Sequence, residues 1–405
     1  MSWCGPDPTK RMLNVARIAA VLIGFWGAAS LPAAHAGDWS ASARFSQSVE
    51  ANNNRALSVN PAGETYESVS RLMLSSIARL PGLRLEADAD LSYQALGGPG
   101  ANANSAPMDN GVRLKAERGD SLTKYYLLGT WRRQDAIAAQ TADDGLILVK
   151  GDISTYVLDT GFVRQMTRLD SLSWSIRGTV VDLTMPTPSA SSYADLATTG
   201  AWTRRLSPTT DLVTSLQFEW LARDAPANTE TLFGRAMLGI NSRLSKQLDI
   251  SGAIGVGVAR TDRDGVLSAN GSQPSSLDSN WLADVKFVYR PVNGTEVWLL
   301  ASQSMAPSGV GEVQSRTTIG TGMRHTINHS SYLVLAGAYN YQTSLDSLAY
   351  DRADYLRGSV TYGYRLTPEW QAQLAYRYAE RIDDTGVARS NSVFLSAVYD
   401  TVILP

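Results

Sequence analysis

From Arg84 to Tyr93 the chain reads Arg-Leu-Glu-Ala-Asp-Ala-Asp-Leu-Ser-Tyr, with a charge or hydroxyl at one position and an apolar side chain at the next. Successive side chains of a strand point to opposite faces, so the segment is one polar wall and one apolar wall. The rhythm recurs along nearly the whole chain. Leu172, Trp174, Ile176, Gly178 and Val180 alternate with Ser173, Ser175, Arg177 and Thr179. Thr214, Leu216, Phe218 and Trp220 alternate with Ser215, Gln217 and Glu219. Trp370, Ala372, Leu374, Tyr376 and Tyr378 alternate with Gln371, Gln373 and Arg377. So many two-faced strands in one chain call for a closed sheet with solvent of different polarity on its two sides.

The N-terminus supplies the compartment. Lys10, Arg11 and Arg17 precede an apolar run from Ile18 to Trp26, and small residues follow, ending Ala34-His35-Ala36. This is the pattern of a cleavable export signal over 1–36, with Gly37 as the mature start. The apolar run is shorter than the roughly 20 residues that span a bilayer. The one cysteine, Cys4, precedes it. The mature chain then has no disulfide and no cysteine metal site. No later stretch is a long apolar run, and mean hydropathy is −0.14. Strands that show lipid every second residue escape such an average. Ten Trp and 17 Tyr against 7 Phe suit a bilayer interface, where a ring with one polar tip is favoured.

The spacing predicts strands near 38–46, 68–79, 83–94, 110–118, 121–133, 152–166, 171–183, 193–204, 210–222, 230–243, 247–260, 279–290, 294–304, 312–325, 330–342, 353–366, 370–381 and 391–399. Short turns, such as Leu80-Pro81-Gly82 and Thr367-Pro368, alternate with longer polar loops at 47–65, 95–109, 134–151, 184–192, 223–229, 261–278, 305–311, 343–352 and 382–390. Outer-membrane barrels sort their connections this way, with tight periplasmic turns and longer extracellular loops. The expected fold is therefore all-β: one transmembrane, antiparallel up-and-down β-barrel of about 18 strands over 37–405, with 16 as the alternative count. No loop is clearly long enough to be a constriction loop.

A charge facing lipid costs about 2–4 kcal/mol at the midplane, which assigns the polar wall to the lumen. The basic residues assigned inward are Arg71, Arg79, Arg84, Arg113, Lys115, Lys124, Arg132, Arg177, Arg235, Arg243, Lys286, Arg290, Arg316, Arg324, Arg357, Arg365 and Arg377. The inward acids are fewer: Glu86, Asp88, Asp90, Glu117, Glu219 and Asp284, with the surplus acids assigned to loops and turns. Trp39, Tyr93, Trp131, Trp220, Tyr289, Trp370 and Tyr378 fall near strand ends as interfacial aromatics. A basic lumen favours anions in transit. Inward arginines that pair across strands and merely hydrate the wall are the alternative.

Catalytic signals are sparse. His325 and His329 sit at a predicted periplasmic turn and read as solvated turn residues. Asp88 and Asp90 read as charges balanced by Arg84. The Gly252-Ala-Ile-Gly255-Val-Gly257 run lies within a strand with no helix after it, unlike a phosphate-binding loop. No enzyme activity, cofactor, metal or nucleic-acid partner is expected.

The hairpins at 70–93 (SRLMLSSIARLPGLRLEADADLSY) and 359–381 (SVTYGYRLTPEWQAQLAYRYAER) give the chain a resemblance to the Gram-negative outer-membrane β-barrel porins that accompany exopolysaccharide or exosortase-type gene clusters. The resemblance runs from Trp39 to Tyr399 and implies a channel for passage or export of an anionic exopolysaccharide. A diffusion porin for small anionic solutes and a structural or adhesive barrel without flow stand beside that implication. Its implied partners are outer-membrane lipid and lipopolysaccharide, the outer-membrane assembly machinery, and a periplasmic polysaccharide export protein. One departure concerns assembly: Tyr399 is the expected terminal aromatic, but Asp400 to Pro405 follow it.

Overall fold

The computed structural model describes residues 38–101, 109–135, 151–184, 192–223, 229–263, 275–307, 313–344 and 352–404. The export signal at 1–36, and the Asn270-Gly271 pair in the loop predicted at 261–278, lie outside them. Eighteen strands follow in order: β1 (Asp38–Asn52), β2 (Thr65–Leu80), β3 (Leu83–Gly97), β4 (Asn110–Gly119), β5 (Thr123–Asp135), β6 (Asp152–Gln165), β7 (Asp170–Leu183), β8 (Tyr193–Ser207), β9 (Thr210–Arg223), β10 (Thr229–Arg243), β11 (Leu248–Arg263), β12 (Ser275–Tyr289), β13 (Thr295–Pro307), β14 (Val313–Thr326), β15 (Ser331–Ser344), β16 (Ala353–Arg365), β17 (Trp370–Asp383) and β18 (Gly386–Leu404).

Each strand pairs antiparallel with its sequence neighbours, and β1 pairs with β18 through Phe45↔Tyr399, closing the sheet. The fold is an up-and-down barrel of 18 strands. Closure pairs the first strand with the last, so neither is left as a free edge with unpaired backbone groups. The start of β1 and the end of β18 lie at the rim of the short turns, such as Pro81-Gly82, where Gly82 takes φ 70.

Residues directly opposite in neighbouring strands share a face. Phe45, Leu72, Leu91, Leu114, Trp131, Leu158, Leu196, Phe218, Val256, Leu299, Ile319, Tyr339, Val360 and Tyr376 lie on the alternating set that carries the large exposed hydrophobics, and that set faces out. The outer surface is thus apolar around the circumference, a surface suited to hydrocarbon rather than water. The other set, including Arg84, Glu86, Asp88 and Asp90, faces in, where cross-strand partners and water stabilise its charges.

Two connections differ from the sequence expectation. β1 continues to Asn52, so the loop predicted at 47–65 begins at 53. The loop predicted at 382–390 is a tight turn at Asp384-Thr385, with Gly386 at φ 129, so one long-loop position is short. Finally, 53–64 does not stay outside the barrel, as described below.

Candidate functional site

The inner face is where this fold places its chemistry. The register puts Arg71, Arg79, Arg84, Arg113, Lys115, Lys124, Arg132, Arg177, Arg235, Arg243, Lys286, Arg316, Arg324, Arg357, Arg365 and Arg377 on it, with Glu86, Asp88, Asp90, Glu117, Glu219 and Asp284, whereas Arg290 follows the end of β12 and bridges Asp249 at 2.5 Å and Glu296 at 2.9 Å. Trp39, Tyr93, Trp131, Trp220, Tyr289, Trp370 and Tyr378 lie on the outer set. Trp370 packs against Tyr399 with ring centroids 4.9 Å apart near the short-turn rim.

The surplus acids are not confined to loops. Glu50, Glu67, Asp159, Asp195, Asp211, Asp249, Glu296 and Asp383 also fall on the inner set. Sequence alternation alone carried the signal for Asp159 and Asp195, but both lie in strands whose inward positions are otherwise mostly apolar or hydroxylic. They alter the charge pattern from uniformly basic to divided.

On the β2–β7 side, carboxylates pair with six of the basic residues. Arg71 bridges Asp90 at 3.1 Å and also reaches Asp109. Arg84 pairs with Glu86 at 2.7 Å, Arg113 with Asp88 at 3.1 Å and Lys115 with Glu117 at 2.6 Å. Arg132 meets Asp109 and Arg177 meets Asp159, each at 2.8 Å. Arg113 and Arg71, rather than Arg84, therefore balance Asp88 and Asp90. Such partly exposed pairs contribute about 0–1 kcal/mol each to stability, but they cancel one another's field at a distance.

On the β14–β17 side the balance fails. Arg316, Arg324, Arg357, Arg365, Arg377 and Arg381 face in, and Asp383 is the single carboxylate among the described inner residues of these four strands. Asp383 is taken by Arg381 at 3.0 Å. Arg377 lies over the Phe394 ring, 5.0 Å from its centroid, and Arg324 lies over Tyr332 at 4.9 Å. Small residues such as Ala336, Ala338, Ser359, Ala375 and Ala379 separate these cations. The Tyr332 ring covers Gly363, where an added Cβ would overlap it.

A cavity of about 800 Å³ runs along this wall, lined by Trp298, Tyr355, Arg357 and Arg377 and, towards the long-loop rim, by Arg55 and Leu57. The last two come from the segment 53–64, which folds into the mouth. The Asn54 side chain donates to Ser58 O at 2.7 Å and Arg389 O at 3.0 Å. Leu57 adopts φ 47, a left-handed conformation uncommon for a branched side chain, and is buried against Tyr355 and Ala388. Backbone strain of this kind persists where surrounding contacts over-determine the position. Arg55 then reaches Glu67 at 3.0 Å and Asp135 at 2.8 Å, linking β2 to the end of β5. A short segment thus narrows the mouth, although its length alone gave no sign of it.

No protein-family model matches the chain, and no curated protein sequence does. Solved structures match its fold. A BenF-like porin from Pseudomonas fluorescens superposes with TM-score 0.51 at 10% identity, covering 90% of this chain and 99% of that one. OpdK from Pseudomonas aeruginosa, solved with vanillate, gives TM-score 0.51 at 12% identity over 90% and 99%. The copper transporter OprC gives TM-score 0.50 at 11% identity over 85% of this chain. This chain spans 61% of OprC. The chain shares the barrel architecture of these proteins. At these identities the likeness concerns the fold alone.

Proposed function

We propose that the protein is an outer-membrane channel that passes small anionic solutes. In this reading 1–36 is its export signal and the short turns lie in the periplasm. The apolar outer face rests in lipid, with lipopolysaccharide around the long-loop rim, and Tyr399 is the aromatic read by the assembly machinery. The observation that carries the proposal is the divided inner wall: six arginines on β14–β17 against one carboxylate, beside a paired wall on β2–β7. A wall whose described inner residues hold more fixed cations than carboxylates raises the local anion concentration along an aqueous path beside it. The likeness to porins supports the same reading through the fold.

Export of an anionic exopolysaccharide, handed on by a periplasmic export protein, is the finer reading that the family resemblance suggests. The narrowing by Arg55 and Leu57 favours small solutes over a polymer chain. Planar-bilayer recording separates the two. A steady conductance that prefers chloride and is blocked competitively by small organic anions supports the small-solute channel. A closed barrel that opens only when a periplasmic partner is added, together with loss of secreted polymer on gene deletion, supports export instead.

A further inference from the structure

One boundary of the barrel is paired over only half its height. β12 and β13 form ladder partners from Tyr289↔Val297 up to Ala283↔Gln303, and among the described residues 275–282 of β12 have no partner on the β13 side. The same residues keep full pairing with β11, up to Asp262↔Ser275. The gap lies in the long-loop half. A tilted strand crosses the hydrocarbon in about 10 residues. The gap therefore extends into the leaflet on that side, where Leu277 and Trp281 of β12 point outward at 73% and 63% exposure.

Above the last pair, the β13–β14 end has moved inside the neighbouring wall. On β13 the outward set is Val297, Leu299 and Ala301, and the alternation continues to Gln303 and Met305. Leu299 is exposed, yet Gln303 and Met305 are buried, Met305 to 1%. Their cover is the inner face of β10–β12. Asn280 Nδ2, inward on β12, donates to Ser315 Oγ on β14 at 2.7 Å. A Cβ at Gly257, inward on β11, would meet Met305 Sδ at 3.2 Å and Leu282 and Phe233 at 3.3 Å. Leu221, Phe233, Leu282, Met305 and Val313 form an apolar cluster between the two layers. The wall overlaps itself like a scroll, and the filling between its layers combines the apolar cluster with a hydrogen-bonded set in which Gln303 Nε2 also donates to Ser315 Oγ at 2.9 Å. Beside this filling Arg235 faces in, directly opposite Gly257 in the ladder, and donates to Gln217.

An open strand edge at hydrocarbon depth costs several kcal/mol per unpaired group, so a simple gap is not stable. An overlap that slides conceals the edge while closed and gives a path when displaced. We propose that the β12–β13 boundary is a lateral seam through which the hydrocarbon chain of an anionic amphiphile, such as a long-chain carboxylate, passes between lumen and outer leaflet, its head group held by Arg235. The inference rests on the membrane placement proposed above and not on ion conduction.

The test uses the mature, cysteine-free barrel in lipid vesicles, with dodecanoate carrying a photoactivatable diazirine on its tail as the probe. Asn280→Cys with Ser315→Cys gives a disulfide that pins the layers together. In the reduced protein, adducts are expected on Phe233, Leu282 and Met305; oxidation is expected to lower them at least about tenfold, as locking a locally opening element does. Adducts confined to Leu277, Trp281 and other outer-face residues, unchanged by oxidation, would overturn the proposal. Failure of the two cysteines to oxidise would overturn the overlap itself. Conductance recorded on the same samples separates this outcome from the channel reading: a barrel without conductance but with oxidation-sensitive adducts keeps the seam and loses the channel.

Discussion

The inner faces of β2–β7 and β14–β17 carry similar numbers of basic residues and have opposite electrostatic consequences. Arg84, Arg113 and Lys115 each have a carboxylate on the same or the adjacent strand within salt-bridge distance. Arg324 and Arg377 have aromatic rings instead. A paired charge hydrates a wall and an unopposed one creates a field along the path beside it. Counting arginines therefore says less about selectivity than locating the acids.

The largest expected effect comes from inverting the arginine-rich wall. Arg357→Glu combined with Arg377→Glu is expected to turn chloride preference into cation preference, read as a change of sign in the reversal potential under a salt gradient. The matched inversion on the paired wall, Arg113→Glu, is expected to shift the potential without changing its sign. Next in size is the mouth. Arg55→Ala removes the link between Glu67 and Asp135 and should raise single-channel conductance on the order of twofold, because flow follows the narrowest section.

A smaller effect sharpens the comparison from the other direction. Asp88→Asn leaves Arg113 without its 3.1 Å partner. It is expected to increase anion preference modestly while changing stability by about 1 kcal/mol or less, measured by denaturant refolding into vesicles. The smallest effect is local and pH-dependent. In the turn after β4, the backbone N–H groups of Thr123 and Leu122 donate to Asp120 and hold its carboxyl below the usual carboxylate range. A group depressed in the folded state stabilises above its unfolded value, near 3.9, and loses that contribution as pH falls through the folded one. Amide exchange at Thr123 should stay slow at neutral pH and accelerate, relative to its intrinsic rate, only below about pH 4.

Much of this was legible in the chain because alternation is geometric. At Arg84 to Tyr93 a two-residue period allows only one assignment of faces once lipid is outside, and the register of β2, β3 and β4 gives that assignment. The charge division was not legible. It depends on which strands stand side by side at which height, as when Asp88 meets Arg113 rather than Arg84, and a period of two contains no such information. Loop 53–64 was unreadable for a different reason: Leu57 and Asn54 find their partners on β16 and β18, more than 290 residues away in Tyr355 and Arg389. The seam escaped because Met305 continues its strand's alternation perfectly and is buried only by the displacement of the whole strand end.

The central claim is that the β14–β17 arginines set the selectivity of an open path. The direct test is the reversal potential of the mature barrel in a planar bilayer under a potassium chloride gradient, before and after Arg357→Glu with Arg377→Glu. The account predicts an anion-selective potential that changes sign in the double variant and keeps its sign in Arg113→Glu. A potential that is cation-selective from the start, or one that responds to Arg113→Glu and ignores the β14–β17 pair, would contradict it.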